Sequence, residues 1–264
     1  MRKQLYYFKS IFTLLGGIKN WTEVIRLFLQ RGKGSPMLLR LKTPKLEVQV
    51  RGKMDAWSVK ETLLDRLYQK YGCEVQPGWI VVDIGAAIGE FPLEVASIAC
   101  KVFAFEPNPE SLSILRENMR RNGINNVDSY PLGVWNSAGR MQLSLPQGEP
   151  LQAQTVENDS SAAQQESFET VTLGDVVEDY VRGKVDLLKM DCEGAEYPIL
   201  LNTGTEILAK IDRVIMEYHD LDNERNHAVL HAFFEAKGYK VRRTENPVHS
   251  NIGYLFAWRG SLNE

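Results

Sequence analysis

The stretch WIVVDIGAAIGEF, residues 79–91, decides the fold because it joins a strand to a helix through a glycine turn. Its first six residues are almost all apolar, as in a strand buried within a parallel sheet. Gly85 and Gly89 let the backbone turn tightly beside a ligand, and the following helix start offers free N–H groups. The spacing D-x-G-x-x-x-G differs from the G-x-G-x-x-G of dinucleotide binders, and Asp83 would repel a pyrophosphate. The turn therefore predicts a site for a cationic ligand.

Glu106 ends the next predicted strand, KVFAFE, residues 101–106. In doubly wound folds a carboxylate at this place can accept hydrogen bonds from both hydroxyls of a ribose. One carboxylate for an ammonium group and one for a ribose diol describe S-adenosylmethionine better than NAD. Asp83 is expected to act mainly through the N–H groups of the turn and the amino acid end of the ligand. The predicted cofactor-binding residues are Asp83, Gly85, Ala86, Gly89, Glu106 and Pro107.

Outward from this stretch, short apolar runs alternate with helical patterns, which predicts an α/β fold with a parallel sheet. The polar segment 146–168 has no period and is predicted to be a surface loop or flap. Further strands are predicted at 127–134, 185–190, 211–217, 239–243 and 252–258, and helices at 89–100, 108–122, 193–201 and 224–237.

The composition is that of an ordinary folded protein. Of 264 residues, 44% are hydrophobic and 25% are charged, which excludes disordered, fibrous and membrane-spanning chains. Cys73, Cys100 and Cys192 have no C-x-x-C spacing, so neither a disulfide framework nor a cysteine zinc site is expected. A reducing, cytoplasmic setting fits this cysteine usage.

The charge is distributed unevenly along the chain. Residues 1–53 contain 12 Lys/Arg and 2 Asp/Glu, whereas the remainder contains 31 − 12 = 19 basic and 34 − 2 = 32 acidic residues. Residues 4–30 repeat apolar side chains near helical spacing, which predicts one or two amphipathic helices with basic flanks. Two interpretations stay open: the apolar stripe packs on the protein's own surface, or residues 1–31 bind peripherally to a membrane. No apolar run reaches the roughly 18 residues of a membrane span.

Four motifs together resemble the FkbM family of class I methyltransferases: VVDIGAAIGEF (81–91), VFAFEPNPES (102–111), VDLLKMDCEGAEYPIL (185–200) and VIMEYHD (214–220). The resemblance implies a Rossmann-like seven-stranded sheet whose last strand is antiparallel. It also implies methyl transfer from S-adenosylmethionine, usually to a hydroxyl of a sugar or natural product. Ala87 departs from the asparagine that the family often has. We expect a basic helical and β extension over 1–74 and a methyltransferase domain over 75–264.

Carboxylates and a histidine follow the fourth and fifth strands of the predicted sheet. Methyl transfer to an alcohol needs a general base within hydrogen-bond reach of the hydroxyl. Asp191 or His219 is the predicted base, and Glu193 is predicted to orient the acceptor. Asp191 could instead cap a helix or hold the cofactor's amino group, and His219 could be a loop hydrogen-bonder. Glu196 is expected to hold the fold.

A metal-assisted reaction on Asp191, Glu217 and His219 is an alternative, but no metal is expected because nothing in the sequence fixes their distances.

The acceptor is expected to carry hydroxyl groups. Base-modifying amine methyltransferases place an aromatic residue after the fourth strand, where this chain has Asp191-Cys192-Glu193-Gly194, so nucleic acid is disfavoured. Carboxylates accept hydrogen bonds from several hydroxyls, which fits a sugar on a glycan, a glycolipid or a secondary metabolite. The loop 146–168 and the segment 55–57 are candidate acceptor contacts. A nucleotide-dependent oxidoreductase and a non-catalytic, membrane-associated cofactor-binding protein are the alternatives.

Overall fold

The computed structural model describes residues 2–29, 36–144, 154–156 and 166–260. Two helices open the chain and confirm the amphipathic pattern of residues 4–30. An antiparallel strand pair and a third helix, continued by a π-helical turn over Lys60–Leu64, follow them. These elements are α1 (Arg2–Gly17), α2 (Trp21–Leu29), β1 (Met37–Arg40), β2 (Glu47–Val50) and α3 (Lys53–Val59). Among the described residues, no helix is both long and apolar enough to cross a bilayer.

The rest of the chain alternates strands and helices. The strands are β3 (Ile80–Ile84), β4 (Lys101–Phe105), β5 (Val127–Tyr130), β6 (Leu132–Trp135), β7 (Gly139–Ser144), β8 (Gln154–Val156), β9 (Glu166–Thr172), β10 (Leu187–Met190), β11 (Arg213–His219), β12 (Lys240–Glu245) and β13 (Ile252–Trp258). The helices are α4 (Glu90–Val95), α5 (Pro109–Arg121), α6 (Leu173–Asp175), α7 (Glu196–Leu201), α8 (Thr205–Leu208) and α9 (His227–Ala236), with a π-helical turn over Val176–Val181.

Seven strands form the main sheet, in the order β12-β13-β11-β10-β3-β4-β5. The five strands from β11 to β5 are parallel, while β13 pairs antiparallel with both β11 and β12. The predicted α/β fold with an antiparallel last strand is therefore confirmed. Since β3, β4, β10 and β11 are parallel, the residues that follow them meet at one edge of the sheet.

A second, four-stranded sheet with the order β6-β9-β7-β8 differs from the sequence-based expectation. The strand predicted over 127–134 is divided at Pro131, which has no N–H for a ladder, and its second half joins the small sheet. The segment 146–168, predicted to be a loop, contributes β8 and the start of β9. The remaining residues of this segment, 146–153 and 157–165, lie outside the described part of the chain.

Helix boundaries follow local backbone chemistry. The side chain of Asn108 caps α5 by accepting hydrogen bonds from two N–H groups, as its sequence predicted. The helix expected from residue 193 begins only at Glu196, because Glu193 and Gly194 have φ of 53° and 97°. The helices expected over 89–100 and 224–237 are shorter, at Glu90–Val95 and His227–Ala236.

The N-terminal extension shares its core with the rest of the protein. One buried cluster joins Leu14 and Ile18 of the first helix region to Ile88 and Leu115 beside the main sheet. The side chain of Asn118 on α5 also accepts a hydrogen bond from the N–H of Gln49 on β2, at 2.7 Å. The division at residue 74 stays a prediction, but apolar packing is continuous across it.

Candidate active site

A pocket lies where β3, β4, β10 and β11 end. Its floor is the predicted glycine turn, and the small sheet and α3 form its walls. Most predicted site residues line it, whereas Asp83, Ala86, Gly89 and His219 do not. The lining includes Trp57, Glu61, Gly85, Ala87, Glu106, Pro107, Leu132, Gly133, Val134, Trp135, Phe168, Thr170, Asp191, Cys192, Glu193 and Glu217.

The glycine turn, residues 85–89, is shaped by backbone contacts. Gly85 has φ of 75°, and a Cβ there would overlap the carbonyl oxygen of Asp191. The N–H groups of Gly85 and Ala86 both donate to the carbonyl of Phe105, at 3.0 and 3.1 Å. Gly89 has φ of 88°, and a Cβ there would press on side chains of α5. Gly85 thus permits the turn to approach the β10 end, while Gly89 permits helix packing.

Asp83 supports the turn from beneath, and this corrects the expected role. Its side chain is fully buried, and no N–H of the turn donates to its oxygens. Instead, Lys189 Nζ lies 2.9 Å from Asp83 Oδ1 and also donates to the carbonyl of Gly85, at 2.9 Å. Burial lowers the pKa of Lys189, but Asp83 and Asp191 outweigh burial and raise that pKa above its ordinary value. Asp83 therefore acts on the turn through a buried cation.

Glu106 lies where the sequence predicted, at the end of β4 and in the pocket lining. One carboxylate oxygen accepts the N–H of Ala87 at 2.9 Å, and the other accepts the N–H of Asn108 at 2.8 Å. Burial raises the pKa of Glu106, while these two hydrogen bonds lower it. Each oxygen retains a lone pair beside the pocket, so the carboxylate is fixed and can accept from a diol. These acceptor oxygens fit the two ribose hydroxyls of S-adenosylmethionine.

Three carboxylates, which we call the acidic cluster, face the same pocket: Asp191, Glu193 and Glu217. The hydroxyl of Tyr68 donates to Asp191 at 2.8 Å. Burial and the Asp191 charge raise the pKa of Glu193 to about 7. The same two causes, in the same order, raise the pKa of Glu217 well above its usual range. The cluster can receive a cationic ligand and also hold or accept protons near neutral pH.

His219 lies behind the acidic cluster, and only 7% of it is exposed. Its two ring nitrogens lie 3.4 Å from carboxylate oxygens of Glu193 and Glu196. Burial lowers the pKa of His219, but the two carboxylates outweigh burial and raise it to about 10. A protonated imidazole has no free lone pair, so this arrangement disfavours His219 as the base.

Backbone contacts after β10 distinguish between the structural roles considered for Asp191 and Glu196. The carboxylate of Glu196 is fully buried and accepts the N–H of Cys192 at 3.1 Å, which agrees with its expected role in holding the fold. Helix α7 has Ala195 as its N-cap and no side-chain capping bond, so Asp191 does not cap it.

Asp191, Glu193 and His219 bring one ligand atom each within 4.8 Å of one another. A metal would need a neutral imidazole and would therefore have to displace the proton that the raised pKa of His219, about 10, favours. The expectation that the reaction uses no metal stays a prediction, which activity after chelation and exhaustive dialysis would test.

Sequence analysis missed several side chains of the site. Lys189 is the only charged residue within the apolar strand β10, and that isolated charge was the available signal. Tyr68 has no local signal, because its contact with Asp191 spans 123 positions. Trp135 and Phe168 belong to the small sheet, which the sequence did not predict.

Comparison with known proteins identifies the family. The methyltransferase FkbM domain matches residues 83–241. The 31-O-demethyl-FK506 methyltransferase FkbM of Streptomyces tacrolimicus is 28% identical, over 72% of this chain and 83% of that protein. The hexuronic acid methyltransferase AglP of Haloferax volcanii is 28% identical, over 55% of this chain and 58% of that protein.

A crystal structure of a methyltransferase FkbM from Methylobacillus flagellatus is 15% identical, over 77% of this chain and 53% of that chain, with a TM-score of 0.49. The family match confirms the resemblance seen in the motifs and the prediction of S-adenosylmethionine as cofactor. The chain therefore belongs to the FkbM family of S-adenosylmethionine-dependent methyltransferases.

Proposed function

We propose that this methyltransferase acts on a hydroxyl oxygen of a sugar or another polyhydroxyl small molecule. The observation that carries the proposal is Glu193, a pocket carboxylate whose pKa is raised to about 7 beside two further carboxylates. A base is most effective when its pKa lies near the working pH. The oxidoreductase alternative is set aside because the matching family consists of methyltransferases.

In this proposal, two carboxylates hold the cofactor. Glu106 accepts the ribose hydroxyls with the lone pairs that Ala87 and Asn108 leave free. Asp191, whose carbonyl abuts Gly85 and whose carboxylate is oriented by Tyr68, accepts from the ammonium group. When bound, S-adenosylmethionine supplies an electrophilic methyl group next to a positive sulfur. The negative lining of the pocket favours a ligand with this charge.

Glu193 then acts as the general base. It takes the acceptor's hydroxyl proton while the new oxygen–carbon bond forms and the carbon–sulfur bond breaks. Glu193 has a left-handed backbone, with φ of 53°, which is uncommon for a side-chain-bearing residue and typical of functional positions. His219 is a positioning residue, because its cation faces Glu193 from behind the pocket at 3.4 Å.

The acceptor class follows from the chemistry of the lining and agrees with two relatives. Asp191, Glu193 and the raised-pKa carboxyl of Glu217 together accept and donate hydrogen bonds, which suits several hydroxyls on one molecule. Trp135 and Phe168 add apolar surface on which the face of a sugar ring can pack. The names of the relatives specify a 31-O-demethyl compound and a hexuronic acid.

A methyl-label transfer assay with sugars, nucleotide sugars, glycolipids and extracted polysaccharide tests this proposal. We expect label in an alkali-stable ether fraction of a hydroxyl-bearing acceptor. With that acceptor, E193Q should lower kcat by roughly 10²–10⁴-fold while S-adenosylhomocysteine affinity stays near wild type. D191N should instead weaken cofactor binding.

The matched control is E110Q, which neutralises an exposed carboxylate on α5 outside the pocket lining. Label found only on amines or on nucleic acid, or an E193Q variant with the full wild-type kcat, would contradict the proposal.

A cytoplasmic setting remains part of the proposal, since all three cysteines are free.

A further inference from the structure

The exposed large apolar side chains of the described residues are concentrated on the first two helices. Nine of the twelve lie there, and the other three, Met54, Leu201 and Leu221, are separated along the chain. Isolated exposed apolar residues are ordinary, whereas a concentrated group marks an interaction surface. The nine are Leu5, Tyr7, Phe8, Ile11, Phe12, Trp21, Ile25, Phe28 and Leu29.

Helix α1 has one buried face and one exposed apolar face. One face carries Ser10 and Leu14, which are 1% and 2% exposed and pack on the protein. The other carries Leu5, Phe8 and Phe12 at the i, i+3, i+7 spacing of a helix face, and the two phenylalanines are 59% and 58% exposed. Internal packing thus explains the first face and leaves the second without a partner in the described chain.

Exposed basic side chains lie on and near the first two helices. Lys3, Lys9 and Lys19 are exposed, and so are Lys42 and Lys45 in the turn between β1 and β2. None of these five has a carboxylate within 4.0 Å among the residues that the structure describes. Residues 1–53 hold 12 basic and 2 acidic residues, so an anionic partner is favoured over a neutral one.

We propose that the exposed faces of α1 and α2, which we call the helical apolar surface, bind an anionic lipid bilayer. Apolar and aromatic side chains beside lysines are the combination by which helices lie in the membrane interface. A second copy of this chain is a weaker partner, because a two-fold contact through the same surface would bring like charges together.

The helical apolar surface lies next to the pocket. On α1, the hydroxyl of Tyr6 donates to Glu61 Oε1 at 2.6 Å, and Glu61 lines the pocket. The ring of Trp57, which also lines the pocket, packs on Tyr6 and Tyr7, with centroids 6.0 and 5.5 Å apart. Through Tyr7, the helical apolar surface therefore contacts the wall of the pocket.

Flotation of the full chain with vesicles tests the surface directly. We expect binding to phosphatidylcholine vesicles that contain phosphatidylglycerol, weaker binding to pure phosphatidylcholine, and release by high salt. F8S/F12S should lower partitioning into the anionic vesicles at least about tenfold, since it removes the most exposed aromatic area of α1. K3E/K9E should weaken binding to anionic vesicles only.

The matched control is L201S/L221S, which removes two exposed leucines elsewhere. It should partition like wild type, and all variants should keep wild-type affinity for S-adenosylhomocysteine, which shows that the fold is intact. Equal partitioning of F8S/F12S and wild type would overturn the proposal. So would a dimer in solution that F8S/F12S dissociates while vesicle binding is absent, because the surface would then be a contact between copies.

Discussion

The glycine turn and the acidic cluster face one pocket, but their charges are held differently. Beneath the turn, Asp83 is paired with Lys189, and Glu106 accepts two backbone N–H groups. In the acidic cluster the carboxylates lie near one another, so burial and mutual repulsion raise the pKa of Glu193 to about 7. The turn side therefore keeps a fixed shape, whereas the cluster side keeps groups that can change protonation. Substitutions on the turn side should affect folding and affinity, and substitution of Glu193 in the cluster should affect rate and pH dependence.

The largest expected effect is that of K189M. Removing the ammonium leaves Asp83 buried without a counter-charge, and breaking a buried ion pair in this way costs about 3–5 kcal/mol of unfolding free energy. Urea denaturation followed by circular dichroism measures the loss.

K101M is the control, because Lys101 pairs with Asp128 at 2.7 Å on the surface and such a pair contributes about 0–1 kcal/mol. The double variant D83N/K189M should recover part of the stability. A K189M protein as stable as K101M would show that the turn does not depend on this pair.

G85A should be next in effect. The new Cβ would overlap the backbone carbonyl of Asp191, and a left-handed conformation alone costs roughly 1–3 kcal/mol for a residue with a side chain. Calorimetry should detect little or no binding of S-adenosylhomocysteine. G123A provides the comparison, since Gly123 has φ of 66° with open space around its Cβ position. If G85A and G123A bind S-adenosylhomocysteine with equal affinity, overlap with the Asp191 carbonyl is not the reason that glycine is needed at position 85.

E106Q should have a smaller effect, on affinity. The substitution replaces one of the two acceptor oxygens with an NH2 group. That group would face the N–H of Ala87 or Asn108, so one of the two hydrogen bonds to the backbone is lost. We expect the Kd of S-adenosylhomocysteine to rise roughly 10- to 100-fold, or about 1.5–3 kcal/mol, as for a hydrogen bond to a charged group. Calorimetry on E106Q and E110Q would measure this difference, and equal Kd values would remove Glu106 from the cofactor site.

The smallest expected effect is a change in pH profile in H219Q. The positive charge of His219 lowers the pKa of Glu193, so removing that charge should raise it. Because the base must be deprotonated, kcat/KM of the wild type should rise with pH through about 7. In H219Q this rise should occur about one pH unit higher. A loss of kcat/KM that is equal at every pH would indicate a structural role for His219 instead.

The sequence predicted those parts of the molecule that local chemistry determines. The β3 strand, the turn at Gly85 and the capped start of α5 each follow from a few adjacent residues, and Glu106 follows from its place at a strand end. The small sheet was missed, because Pro131 divides an apparently continuous strand and a polar segment contributes strands. Its partners are distant in sequence, so periodicity could not indicate them.

The position of the pocket was predicted, but its contacts were not. Residues following parallel strands converge, which is why Asp191 and Glu193 both line the pocket. The raised pKa of His219 could not be predicted, since it depends on two carboxylates that lie 3.4 Å away only after folding. The ion pair of Asp83 could not be predicted either, because its partner, Lys189, lies on a strand more than a hundred residues later.

The contact of Tyr6 with Glu61 makes the first helix part of the pocket's acid–base balance. Lys60, only 1% exposed, donates to the same Tyr6 hydroxyl at 2.9 Å and pairs with Asp65 at 2.7 Å. Deleting the residues before β1 would therefore remove the Tyr6 hydroxyl, which contacts both the buried ammonium of Lys60 and the pocket carboxylate of Glu61. A truncated enzyme would therefore differ from the full sequence in the contacts of its pocket as well as at its surface. Its kinetic constants would not represent those of the full sequence.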